Sequence, residues 1–207
     1  MMVVVAFGNE DAVGNPALRA MFRARKAVFA DLLKWDVPVV GGEFEIDQFD
    51  NDNAVYIIVT DDHGNHQASA RLLPTTRPHI LSELFPHLCH SAFPRGPAVM
   101  EITRFCLDRR LNSKQRRSAR NRLISAMVRF ALGQAILTYT GVAEISWLQQ
   151  ILAFGWDCRP LGEPRHYKKR LLGALAIDIK ANTPRLLAAN GIWAPEPLSP
   201  TELRQAA

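Results

Sequence analysis

Apolar residues in the first third of the chain recur at helical spacing. Leu18, Met21, Phe22, Val28, Phe29, Leu32 and Leu33 step by three and four between Pro16 and Trp35, which predicts one amphipathic helix over 16–35. Arg25 falls inside that apolar stripe. A buried guanidinium without an anion costs several kcal/mol or more, so Arg25 requires a carboxylate from the protein or from a ligand. Three acidic residues follow in the pattern Glu45-x-Asp47-x-x-Asp50. The stretch 36–53 that holds them has little periodicity and contains Gly41 and Gly42, so it reads as a long loop, a kind of segment that is more often functional than idle.

Elsewhere the pattern alternates strand and helix. Strands are expected at 2–7, 54–60, 67–73, 98–108, 141–147 and 171–179, with 54–60 and 67–73 joined as a hairpin through Asp61-Asp62-His63-Gly64-Asn65. Helices are expected at 81–85, 113–139, 148–154 and 183–190, the last closed by Gly191. The order predicts an α/β (α+β) fold, a sandwich around a mixed sheet. One domain over 1–195 is expected, with a loose Pro-rich tail at 196–207.

Composition narrows the class. The 207 residues are 48% hydrophobic and 22% charged, which fits a globular chain and excludes disorder. No apolar run approaches the roughly 18–20 residues of a membrane span. The start, Met-Met-Val-Val-Val-Ala-Phe, lacks a cationic leader, and the three cysteines Cys89, Cys106 and Cys158 fit a reducing cytoplasm. The net charge of +5 falls to −2 once seven residues are set aside: Arg109, Arg110, Lys114, Arg116, Arg117, Arg120 and Arg122. The basic character therefore reads as one local patch that would dock something acidic. It has no interleaved aromatics and no nucleic-acid motif, so an acidic protein is the expected partner rather than nucleic acid.

Two charged residues, Glu101 and Arg104, interrupt the apolar strand at 98–108. Charges there are expensive unless paired or functional. A regular strand places residues three apart on opposite faces, so a bulge or a strand end is needed for both to serve one site. Read without chemistry, the charges at 25–50 with Arg71, Glu101 and Arg104 form an ion-pair network bracing the long loop. His87-x-Cys89-His90 has no second cluster at ligand spacing, so no metal is expected. Phosphate-loop, dinucleotide and serine-hydrolase fingerprints are missing from the sequence.

Taken together, Arg25-x-x-x-Phe29, Trp35, Glu45-x-Asp47-x-x-Asp50, Ala-x-Arg71-Leu-Leu-Pro-Thr, Phe85 and Glu101-x-x-Arg104-Phe105 resemble the LuxI-type N-acyl-homoserine lactone synthases, over about residues 20 to 108. The resemblance implies a three-layer α-β-α sandwich like the GNAT acetyltransferases. It also implies acyl transfer from a thioester to the amine of S-adenosylmethionine, followed by lactone closure and release of 5′-methylthioadenosine. Arg25, Phe29, Trp35, Asp47, Asp50, Arg71 and Arg104 would then hold S-adenosylmethionine, the aromatics attracting its sulfonium. Glu101 is the first choice as general base and Glu45 the second, with Arg104 assisting. Phe85, Met100, Ile102, Thr103, Trp147, Leu148 and Phe154 would line the acyl pocket. Arg109, Arg110, Lys114, Arg116, Arg117 and Arg120 would dock an acyl carrier protein, with coenzyme A thioesters as the other donor. No further cofactor is required, because the sulfonium is already a good leaving group. The turn 115–119 lacks the glycines that cradle a pyrophosphate in the acetyltransferases. Two rival readings are an N-acyltransferase with another amine acceptor and a non-catalytic module that binds an acidic partner through the basic patch.

Overall fold

The computed structural model describes residues 1–8 and 14–195, so the expected loose tail at 196–207 lies outside the described residues. The described chain forms two compact units, each assembled from separate stretches. Of the described residues, the first holds those of 1–72, 104–127 and 194–195; the second holds Leu73–Thr103 and Val128–Trp193.

The first unit opens with strand β1 (Met2–Phe7) and helix α1 (Pro16–Arg25). Asn15 caps α1, its side-chain oxygen accepting from the Ala17 and Leu18 amides at 3.0 and 3.3 Å, with Pro16 in the first turn. The expected helix to residue 35 is shorter and changes winding. Lys26–Leu32 is π-helical, and the Leu33 and Trp35 amides reach back to the Val28 and Phe29 carbonyls at 2.9 and 2.8 Å. Such widened turns are frequent at functional sites.

The expected loop 36–53 contains a small hairpin, β2 (Val39–Val40) and β3 (Phe44–Glu45). Gly41 and Gly42 turn it at φ 59° and 72°, the paired left-handed conformations that glycine adopts without steric cost. Strands β4 (Val55–Thr60) and β5 (His66–Pro74) follow. β4 pairs antiparallel with β1, Met2 opposite Thr60, and with β5, Val55 opposite Leu72. All six residues of β4 are buried, which explains its continuous apolar sequence.

In the second unit, α2 (Ile80–Leu84) and a single tight turn at Pro86–Leu88 precede β6 (Val99–Leu107), whose last four residues belong to the first unit. Helix α3 (Ser113–Gly133) starts in the first unit and ends in the second. It stops six residues before the expected 139. Ala135 takes a left-handed φ of 53°, which ends helical hydrogen bonding. Then come β7 (Thr138–Glu144), α4 (Ile145–Leu152), β8 (Asp157–Pro160), β9 (Arg165–Tyr167), β10 (Arg170–Asp178) and α5 (Thr183–Ala189). β8 and β9 are too short to carry a periodic signal and were not anticipated.

β7 runs parallel to β6, Val99 opposite Thr138, while β10 is antiparallel to β7, β8 and β9. The expected α+β fold on a mixed sheet is met. No helix among the described residues is long and apolar enough to cross a membrane.

Candidate active site

α1, the β3 end of the hairpin and the following loop bring Arg25, Glu45, Asp47 and Asp50 of the first unit together with Arg71 from β5 and Arg104 from β6. Arg25 Nε donates to Glu45 Oε2 at 2.6 Å, and its two terminal nitrogens donate to the two Asp50 oxygens, both at 2.8 Å. Arg71 Nη1 reaches Asp47 Oδ1 at 2.6 Å and Asp50 Oδ1 at 2.8 Å. Arg104 donates from Nε to Glu45 Oε1 at 3.0 Å and from Nη2 to Asp47 Oδ2 at 2.6 Å. Three cations thus share three anions. The Arg25, Glu45, Asp50 and Arg71 side chains are at most 1% exposed, whereas Asp47 is 5% and Arg104 10% exposed. The anion required by Arg25 is supplied by the protein, twice over.

Each guanidinium also has an aromatic neighbour. The guanidinium carbons of Arg25, Arg71 and Arg104 lie 5.0, 5.9 and 5.6 Å from the rings of Phe22, Phe49 and Phe29, within cation–π range. Phe29 stacks on Trp35 with centroids 4.8 Å apart.

Burial alone would raise the Asp50 carboxyl, but Arg25, Arg71 and the Asp47 amide hold it well below the usual carboxylate range. Burial likewise opposes the charge on Arg25, and Asp50 and Glu45 outweigh it, so the guanidinium stays above its ordinary value. The Arg25–Asp50 pair is therefore charged on both sides at neutral pH. Tyr56, missed in the sequence because it sits in an apolar strand, donates its hydroxyl to Asp50 Oδ1 at 3.0 Å. Burial and the Asp50 charge push its own pKa up.

The loop bearing Asp47 and Asp50 rests on Gly8, where an added Cβ would lie 1.8 Å from the Asn51 carbonyl oxygen. Arg104 has φ 50° inside β6, a conformation costly for a residue with a Cβ. That irregularity is of the kind expected where a strand must aim a charge off its regular face.

In the second unit Glu101 is fully buried, and its Oε1 accepts the Leu81 amide of α2 at 2.9 Å. Thr140 lies directly across the β6–β7 ladder from Glu101, so both side chains leave the sheet on one face. The Thr140 hydroxyl is buried without a hydrogen-bond partner among the described residues. Sequence inspection overlooked it, since pairing between distant strands is not written in local pattern.

The seven expected acyl-pocket residues do not share one wall. Strand alternation puts Thr103 on the Glu101 face and Met100 and Ile102 on the other. Phe85 packs against the cluster of Leu81, Leu88, Leu172 and Ala174. Ala174 and Leu172 continue the Thr140 face through their pairing with Val142 and Glu144. Leu148 lies against Gly173, which belongs to the Met100 face; a Cβ there would come 2.6 Å from Leu148 Cδ2. Trp147 and Phe154 meet edge to face at 5.7 Å.

The basic stretch is exposed at Arg109, Arg110, Lys114, Arg116 and Arg117, and half-buried at Arg120. Asn112 and Gln115 cap α3 reciprocally, each side chain accepting the other's amide at 3.0 Å. This holds the basic first turn in helix despite the unfavourable dipole.

Comparison with known proteins gives a consistent result. The family model "Autoinducer synthase" matches residues 10–185. The acyl-homoserine-lactone synthase of Ralstonia nicotianae is 31% identical, covering 83% of this chain and 87% of the relative. That of Rhizobium etli is 34% identical, covering 84% and 82%. The isovaleryl-homoserine lactone synthase of Bradyrhizobium diazoefficiens is 30% identical, covering 80% and 74%. Among solved structures, a CoA-dependent acyl-homoserine lactone synthase, BjaI, with SAM and isopentyl-CoA superposes with a TM-score of 0.79 at 25% identity, covering 99% of this chain and 98% of that one. TofI in a ternary complex with an inhibitor and MTA gives 0.77 at 30% identity, covering 91% and 97%. A putative N-acetyltransferase from Lactobacillus plantarum, 16% identical with a TM-score of 0.52, shares the fold.

Proposed function

Because the chain belongs to the autoinducer synthase family and is an acyl-homoserine-lactone synthase making a quorum-sensing signal, we propose that its first unit recognises S-adenosylmethionine through the Arg25–Asp50 charge network. The observation that carries this reading is the graded burial of the six charges. Arg25, Asp50, Glu45 and Arg71 form an enclosed frame, and the two least enclosed members, Asp47 and Arg104, have opposite sign. An amino acid carries one cation and one anion at its α-carbon, and Asp47 and Arg104 suit them in that order. Phe29 and Trp35 suit the sulfonium, at about 0.5–2 kcal/mol for a cation over an aromatic face.

The amine must lose its proton before it attacks the thioester carbonyl. Glu101 is our choice of base. Both Glu45 oxygens are already engaged by guanidinium groups, whereas Glu101 Oε1 accepts from a backbone amide. After the amide C–N bond forms, the thiolate leaves. A substrate carboxylate oxygen then attacks the carbon bonded to the sulfonium, and that C–S bond breaks to release methylthioadenosine. The second step is one of positioning, for which the fixed guanidinium of Arg104 is suited.

For the acyl group we favour the face shared by Glu101, Thr103, Thr140 and the Phe85 cluster, because it joins the candidate base to apolar surface. Met100, Ile102 and Leu148 would then act from behind the sheet. An acidic acyl carrier protein is our preferred donor, on the strength of the exposed cations from Arg109 to Arg117. We read the two units as one synthase domain, since a single family model spans both, and assign it to the cytoplasm, where both substrates are made.

The test is mass spectrometry of a reaction containing the purified protein, S-adenosylmethionine and a panel of acyl-carrier and coenzyme A thioesters. Methylthioadenosine in equal amount with an acyl-homoserine lactone from the carrier thioester is expected. An acylated amine without methylthioadenosine would sink the reading, and turnover confined to coenzyme A thioesters would overturn the donor.

A further inference from the structure

We propose that the β9–β10 hairpin is a second docking surface for the acidic acyl carrier protein. The partner's identity rests on the donor reading above, but the residues are different ones. The run Arg165-His166-Tyr167-Lys168-Lys169-Arg170 places four formal positive charges in six residues. Whole-chain charge conceals it, because acidic residues elsewhere cancel it in the sum, and the basic character is therefore not one local patch.

Arg165 through Lys169 are all exposed. The ladder pairs Arg170 with Tyr167 and Leu172 with Arg165, so the cations stand on paired strands. Lys168 turns the tip with φ 53°. Arg170 forms a salt bridge with Glu144 at the end of β7, which fastens the base of the hairpin. Tyr167 is 43% exposed, carries the Lys168 ammonium 5.9 Å from its ring, and meets Phe85 edge to face at 5.0 Å.

That last contact links the charged hairpin to chemistry. Phe85 belongs to the apolar cluster on the Glu101 face, so a macromolecule seated on the hairpin would sit beside the surface favoured for the acyl group. Exposed cations spread over β9 and the tip suit an extended acidic surface. Single exposed ion pairs contribute little, but a cluster raises the encounter rate in a salt-dependent way.

The experiment is steady-state kinetics of the Arg165→Glu/Lys169→Glu variant, with the same acyl group on the carrier protein and on pantetheine, at low and moderate salt. The carrier KM is expected to rise about tenfold at low salt, with the gap narrowing as salt is added. The KM for S-adenosylmethionine and turnover of the pantetheine thioester should not change. Lys168→Asn, which keeps a residue tolerant of the left-handed turn, should give a smaller rise in the same direction. An unchanged carrier KM in the folded variants overturns the proposal. So does an equal rise with pantetheine, which would make the hairpin part of the pocket. Loss of anionic-vesicle binding with intact carrier kinetics would make it a lipid-facing surface and overturn it too. Wild-type protein in the same assay separates the two failures: if it cannot use the carrier thioester the donor reading falls, and if it can while the variants match it, only the hairpin proposal falls.

Discussion

Arg25 and Asp50 meet as a fork, two parallel hydrogen bonds of 2.8 Å between side chains that are each 1% exposed. The pair ties α1 to the loop that follows the β2–β3 hairpin. Breaking a buried pair leaves an uncompensated charge and costs about 3–5 kcal/mol. Asp50→Ala is therefore expected to lower stability by roughly that amount in urea unfolding. Arg25→Met combined with Asp50→Leu should cost less than the two single changes added, since neither charge is then stranded.

Arg104 combines a charge of the buried network with a strained backbone, φ 50° within a strand. Arg104→Ala and Arg104→Gly delete the same guanidinium and differ at that dihedral. Glycine in a strand is ordinarily the weaker choice, but here it should match or exceed alanine in stability, by up to about 1 kcal/mol. Both variants should lack synthase activity. Thermal melts with circular dichroism distinguish them; a clearly less stable glycine variant would contradict the strain.

His66 provides a pH signature. Burial pushes its imidazole down to about 4, with Arg110 adding to the effect and Asp108 opposing it. The unfolded chain binds the proton from about pH 6.5 downward, so stability is full above that value and falls as pH drops toward 4. The accumulated loss is on the order of 3 kcal/mol. Below the ordinary carboxylate range, protonation of Asp50, whose carboxyl is held low in the fold, extends the loss. His66→Gln should flatten the slope between pH 6.5 and 4 in denaturant titrations and leave the more acidic part in place.

The helix, its buried cation and the three acids were legible because each is a local signal: periodicity exposes a charge in an apolar stripe, and a buried charge demands an anion. Tyr56 was not legible, because a tyrosine in an apolar strand looks like core until its hydroxyl is seen on Asp50. Thr140 becomes informative only through its register with Glu101. The scatter of the acyl residues was partly readable, since alternation already separates Met100 and Ile102 from Glu101 and Thr103, whereas Leu148 on Gly173 depends on tertiary packing. Gly41-Gly42 read only as part of a long loop and proved to be the turn of a hairpin, and the shift to π winding at Lys26 had no sequence marker.

The central claim is that the charge network recognises S-adenosylmethionine and does not merely brace the loop. Isothermal titration of S-adenosylmethionine into wild type, Asp47→Asn and Arg104→Met tests it most directly, with circular dichroism confirming the fold of each. The account predicts measurable binding to wild type and a loss of at least tenfold in each variant, about 1.4 kcal/mol or more. Folded variants that bind as tightly as wild type would contradict it and leave the six charges as structural bracing.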